Sequence, residues 1–183
     1  MNRDEALAIV KEFVKNPNLV KHMLAVETAM AAYAKKYDED EGKWRLAGLL
    51  HDFDWEIHPS LEQHPQEGAK ILRERGVDEE TILTILSHAE HTGVPRTELI
   101  HRALFACDEI TGLIVAVALV RPSKKLAEVN LESIKKKWND KTFAKGVKRE
   151  DVEMGAKELG VGLWEHVEFV LKVMQNRAGD LGL

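Results

Sequence analysis

Cysteine is almost absent from this sequence, with Cys107 the only one. A lone thiol can form neither an internal disulfide nor a cysteine-only metal site, so any bound metal must rest on histidine and carboxylate. Long apolar runs are missing too. The most apolar stretch, Leu104 to Val120, is broken by Asp108 and Glu109. Its uninterrupted part, Ile110 to Val120, falls short of the roughly 20 residues that cross a bilayer. The start, MNRDEALAIV, carries acids where a secretory signal carries a basic region and then an apolar one. Together these features predict a cytoplasmic protein with no membrane partner. Basic character is also lacking: 26 Lys and Arg against 31 Asp and Glu give a net charge of −5. That argues against general nucleic-acid binding and leaves room for a local basic patch. Alternating strand patterns are nearly absent.

What is present is ordinary globular material, 44% hydrophobic and 31% charged, in a chain of 183 residues. The expectation is one domain spanning 1–183, with a core at about 18–121 and a helical elaboration at about 122–183. Helical periodicity predicts Asp4 to Val14, then Leu19 to Tyr37 after the Asn16-Pro17-Asn18 break, then Lys43 to Leu50. An irregular segment, Phe53 to Gln63, precedes a helix expected to start near Pro65 and stop at Gly76. Asp78 can cap a helix carrying Ile82, Ile85 and Leu86, and Thr97 a long one through Val120. Lysine-rich sequence follows Pro122, with short helices expected around Leu131 to Trp138. A final pair, Glu150 to Leu159 and Leu163 to Arg177, is joined by Gly160-Val161-Gly162.

Seven of the eight histidines fall between His22 and His101. His22 sits in the apolar stripe of the second predicted helix, where an imidazole needs a partner: either a backbone carbonyl or a metal. His51-Asp52 follows the apolar run Leu46-Ala47-Gly48-Leu49-Leu50. At the end of a helix two neighbouring side chains can turn toward one ion. Asp108 lies inside the most apolar helix, and aspartate is seldom buried there unless paired or bound to a metal.

Taken in order, His22, His51-Asp52 and Asp108 resemble the signature of the HD superfamily of metal-dependent hydrolases. The stretches AGLLHDFDWE, HPQEGAKIL, ILSHAEHTGVP and ALFACDEITGL resemble one subgroup of HD hydrolases, of the HDIG type, as do RPSKKLAEV and NDKTFAKGVKRE. The resemblance implies an all-α fold, an HD-domain helical bundle with a helical C-terminal extension. It implies one ion held by His22, His51, Asp52 and Asp108. A second would be held by Asp52, His64 and His88, with Asp52 bridging; otherwise His64 and His88 are surface residues of a one-metal protein. His91 is expected on the same helix side as His88, as an alternative ligand or a substrate contact.

Two departures limit what is carried over. Trp55 stands where some HD phosphohydrolases place a catalytic glutamate or lysine, with Asp54 and Glu56 flanking it. Gly93-Val94-Pro95 replaces the Gly-Tyr-Pro of the cyclic-dinucleotide phosphodiesterases, which argues against that activity.

The function this implies is hydrolysis of a small phosphorylated substrate, a nucleotide among the candidates, by attack of a metal-bound hydroxide. Asp52 is central to it, and Asp54 or His91 is the leaving-group acid. Histidine with carboxylate suits Mn, Fe, Co, Ni or Zn, as one or two ions. Lys124-Lys125, Lys135-Lys136-Lys137 and Lys148-Arg149 are candidate contacts for an anion. Alternatives are an HD-type di-iron oxygenase acting on a small organic substrate, or a metal- or nucleotide-binding regulatory module without turnover. Oligomeric state is open.

Overall fold

The computed structural model describes residues 1–183 and is built from helices alone. They are α1 (Arg3–Phe13), α2 (Pro17–Tyr37), α3 (Glu41–Leu50), α4 (Gln66–Glu74), α5 (Glu79–Ser87), α6 (Leu99–Leu119), α7 (Leu131–Trp138), α8 (Arg149–Glu158), α9 (Leu163–Asn176) and α10 (Ala178–Leu181). Single 3₁₀ turns lie at Glu90–Thr92 and Leu126–Glu128.

Five of the ten helices start at a side chain that takes up a free backbone N–H group. The Asn16, Asp40 and Asp78 side chains each accept an N–H from the first turn of their helix. Asp40 therefore starts α3 at Glu41, earlier than the predicted Lys43, and Glu41 puts an acid beside the positive end of the helix dipole. The predicted Thr97 cap is displaced by one residue, with α6 starting at Leu99 behind Glu98. Pro65 stands just outside α4 rather than in its first turn. One short helix, α10, lies beyond the predicted Arg177 end.

The buried apolar residues form two clusters. The larger one gathers Met30, Tyr33, Leu104, Ile110 and Leu113 from α2 and α6 with Val152, Val167, Val170 and Met174 from α8 and α9. The elements after residue 122 thus share one core with the helices before it. The smaller cluster packs Ile9, Val10, Leu49, Leu50, Phe53, Leu72, Ile82 and Ile85 from α1, α3, α4, α5 and the segment after α3. Helices α2 and α3 lie against each other between the two. Gly48 permits that approach, because a Cβ there would stand 2.9 Å from the Glu27 Cα and N. No helix is long and apolar enough to cross a membrane.

Candidate metal centre

The polar residues singled out in the sequence converge at the junction of the two cores. His22 comes from the first half of α2 and Asp108 from the middle of α6. His51 ends α3 and His88 ends α5, each as the residue closing its helix. Asp52 follows His51, and His64 comes from the segment before α4. They form two triads, His22–His51–Asp108 and Asp52–His64–His88.

In the first triad, His22 Nε2 lies 3.0 Å from Asp108 Oδ1 and 3.2 Å from His51 Nε2, and His51 Nε2 is 3.5 Å from Asp108 Oδ1. In the second, His64 Nε2 lies 3.3 Å from Asp52 Oδ1 and 3.4 Å from His88 Nε2, and His88 Nε2 is 3.7 Å from Asp52 Oδ1. Asp52 joins the two. Its Oδ1 faces His64 and His88, while its Oδ2 stands 3.7 Å from His22 Nε2 and 3.6 Å from His51 Nε2.

Each imidazole is aimed by its other nitrogen. His51 Nδ1 donates to the Gly48 carbonyl at 2.8 Å, and His88 Nδ1 to the Ile85 carbonyl at 2.5 Å. Both bonds use a carbonyl in the last turn of the ring's own helix. His64 Nδ1 donates to Asp54 Oδ1 at 2.8 Å. The Thr111 hydroxyl donates to the Asp108 carbonyl and turns a lone pair toward His22 Nδ1, 3.3 Å away. All four Nδ1 atoms thus have acceptors, and four Nε2 lone pairs converge on two carboxylates. Uncharged lone pairs facing one another gain nothing unless a cation lies between them.

Donors about 2.0–2.2 Å from one ion stand about 3.0–3.5 Å apart in octahedral or tetrahedral geometry, close to the spacing here. A hydrogen-bonded partner behind each histidine is the usual support of a metal-ligating ring. The donor set therefore fits a divalent transition metal at each triad. The carboxylates favour positive charge at the centre, and a proton competes with a metal cation for the same nitrogens. Burial pushes the His51 imidazole down, but Asp52 and Asp108 outweigh it and raise its pKa to about 9. Burial pushes the Asp108 carboxyl up, but His22 and His51 hold it well below the usual carboxylate range. Burial keeps His88 below the ordinary imidazole value.

A model of the HD domain family matches residues 19–142 of this chain. The chain belongs to the HD-domain family. It is also 38% identical over 109 residues to an uncharacterized protein of Methanocaldococcus jannaschii, a match covering 57% of this chain and 63% of that one. No solved structure matches. The all-helical HD fold with further helices beyond residue 142 is as the resemblance implied, and the two triads are its candidate metal-binding groups.

Two of the expected positions read differently in three dimensions. Asp54 is 1% exposed, with Oδ1 on His64 and Oδ2 accepting the Gly68 N–H at 3.1 Å. It stands behind His64, away from the open side of the centre. Gly68 makes room for it, since a Cβ there would fall 2.4 Å from the Asp54 Cγ. His91 does not share a helix with His88: α5 stops at Ser87, and His91 lies on the next 3₁₀ turn. Its Nε2 donates to the His64 carbonyl at 2.8 Å, and the ring lines the cavity.

That cavity has a volume of about 670 Å³, and His22, Asp52, His64, His88 and Asp108 form its floor. Trp55 and Leu61 from the segment after α3 also line it, as do Glu109 on α6 and Lys148 and Asp151 at the start of α8. Burial first, and the Asp108 charge next, push the Glu109 carboxyl up to about 8. Burial likewise raises Asp151. Nothing in the sequence marks Glu109, Asp151 or Glu90 as cavity residues, apart from the adjacency of Glu109 to Asp108. Among the lysine runs, only Lys148 lines the cavity. Lys135 and Lys137 pair with Glu132 and Asp140 elsewhere on the surface. Arg149 spends its guanidinium on the Phe143, Ala144 and Val147 carbonyls, fixing the loop that carries Lys148.

Proposed function

We propose that this protein is a metal-dependent phosphohydrolase acting on small phosphate esters or anhydrides at the cavity over the two triads. The observation that carries this reading is the Asp52 carboxylate, with one oxygen turned toward each histidine pair. A carboxylate shared in that way would let two ions act on one phosphoryl group. His22, His51 and Asp108 would hold one ion and His64 and His88 the other, with Asp52 shared. A divalent ion bound here supplies a nucleophile from water near neutral pH and polarises a phosphoryl oxygen. Histidine and carboxylate donors favour Mn, Fe, Co, Ni or Zn.

The chain's own residues do the rest. The Nδ1 partners hold the four rings in one tautomer and one orientation, so little reorganisation accompanies substrate entry. Lys148 is the one cationic side chain in the cavity wall and is suited to a non-bridging phosphoryl oxygen. Of the two leaving-group acids expected from sequence, His91 stands in the cavity, with Nε2 anchored on the His64 carbonyl and Nδ1 left for a proton. Asp54 becomes a positioning residue for His64. Purified protein assayed for phosphate release from a panel of phosphomonoesters, nucleotides and diesters, with and without added Mn, tests the reading. Release that requires metal and is lost in Asp52→Ala is expected. Metal-loaded protein that releases no phosphate from any member would overturn it.

A further inference from the structure

A phosphate ester has two ends, and the triads with Lys148 account for one of them. The leaving group must lie elsewhere in the cavity, whose volume of about 670 Å³ is that of a small-molecule site. The charged side chains above the floor already have partners. Lys148 Nζ stands 3.6 Å from Asp151, Glu90 lies 3.4 Å from the Arg96 guanidinium, and Glu109 accepts the Lys148 N–H at 3.3 Å. Apolar side chains supply the large open surface. Trp55 and Leu61 line the cavity and are 39% and 61% exposed.

The indole is not open because its segment is loose. Phe53 and Asp54, the two residues before it, are buried. The Asp54 carboxylate bonds His64 and the Gly68 N–H, and the Asp54 carbonyl accepts the N–H groups of Ile57 and His58. Directly after Trp55, the Glu56 carboxylate takes the Lys15 and Asn16 N–H groups at 2.9 and 2.6 Å, at the junction of α1 and α2. Held on both sides, the indole meets the His64 ring at right angles, with centroids 4.9 Å apart. It is therefore fixed beside the second triad, next to the place a phosphoryl group takes over the ions. An indole kept half open in water forgoes the gain of burial, and a flat uncharged ring laid against it recovers that gain.

We propose that Trp55 is a specificity-determining residue, whose indole receives an uncharged aromatic ring in the alcohol part of the substrate. This role rests on the phosphohydrolase reading, which puts the phosphoryl group over the triads. An aryl alcohol and a nucleobase both offer such a ring, and the shared requirement is its flat apolar face.

Binding is measured by calorimetry on Mn-loaded protein with benzylphosphonate and propylphosphonate. Phosphate release from benzyl phosphate, nucleoside monophosphates and glycerol phosphate is followed in parallel. Benzylphosphonate is expected to bind about 10-fold more tightly than propylphosphonate. That ratio should fall about 3-fold or more in Trp55→Leu, which keeps apolar bulk beside His64, and recover in Trp55→Phe, which restores a ring. Both variants are checked for wild-type metal content. A second measurement needs no metal-competent variant: in wild-type protein labelled with 5-fluorotryptophan, the Trp55 fluorine signal should shift further with benzylphosphonate than with propylphosphonate. Equal binding of the two phosphonates, no binding of either, or a Trp55 signal indifferent to the ring would overturn the proposal. So would a ratio unchanged in Trp55→Leu, or the highest kcat/KM on glycerol phosphate. A higher kcat/KM on benzyl phosphate or on a nucleoside monophosphate supports it, and their order identifies the source of the ring. Ring preference through Trp55 without phosphate release from any ester would instead overturn the hydrolase reading and leave the Trp55 site standing.

Discussion

The most distinctive buried polar group outside the centre is His166 on α9, and acid should expose its role. Its ring is fully enclosed, with Nε2 donating to the Ala106 carbonyl at 2.7 Å and Nδ1 accepting from the Tyr33 hydroxyl at 2.6 Å. Both bonds suit the neutral ring. Burial is the main cause that lowers its pKa from 6.5 to about 4, against a smaller opposing effect of the Ala106 carbonyl. The unfolded chain takes up the proton near 6.5 and the folded chain only near 4. Between those values the unfolded state therefore holds the extra proton, and acidification favours it. The stability is whole above 6.5 and falls as the pH drops toward 4. Integrated from about pH 7.5 to about pH 5, the loss is about 2 kcal/mol. For a chain of this size that is roughly 4–8 °C in Tm. Other groups titrate in the same window, so the informative quantity is a difference. His166→Gln keeps an amide donor for Ala106 and an acceptor for Tyr33 but cannot ionise. Denaturant unfolding of both proteins across the range, each with the same metal loading, should give a variant less stable at neutral pH. Its pH dependence should be flatter by about 2 kcal/mol. Parallel stability curves would refute the argument.

Other perturbations have equally direct readouts. His64→Ala should lose the ion of the second triad and keep the first, Asp108→Ala the reverse, and Asp52→Ala should deplete both; elemental mass spectrometry counts them. Asp54→Asn, which replaces a carboxylate behind His64 with a neutral amide, should weaken the second ion by about 10–100-fold in a competition titration. Gly68→Ala places a Cβ 2.4 Å from the Asp54 Cγ and should displace that carboxylate, lowering both the second ion's affinity and the Tm. Gly48→Ala forces α3 off the α2 backbone, and a loss of about 1–3 kcal/mol in chemical denaturation is expected, with weaker metal binding because His51 moves away from His22. A Gly48→Ala protein of wild-type stability would show that the α2–α3 contact can yield.

The sequence alone determined the elements and the order of the candidate ligand residues. Caps such as Asn16 and Asp78 act on N–H groups two or three residues away, and apolar periodicity is a property of one helix at a time, so both are legible locally. An aspartate in the apolar run around Cys107 was conspicuous for the same reason. Tertiary structure alone decided what each polar group faces. Asp54 and His91 are close in sequence to candidate ligands, yet one lies behind a ring and the other on a separate turn, because α5 ends at Ser87 and Gly68 opens a space for the Asp54 carboxylate. Lys148 and Asp151 enter the cavity only because α8 packs along α6, and His166 reaches Tyr33 across 133 positions of chain. A lysine-rich segment and a single histidine on an amphipathic helix carry no mark of such placement. Their chemistry depends on distances that arise only once the helices share a core, whereas spacing along one helix is fixed by its own geometry.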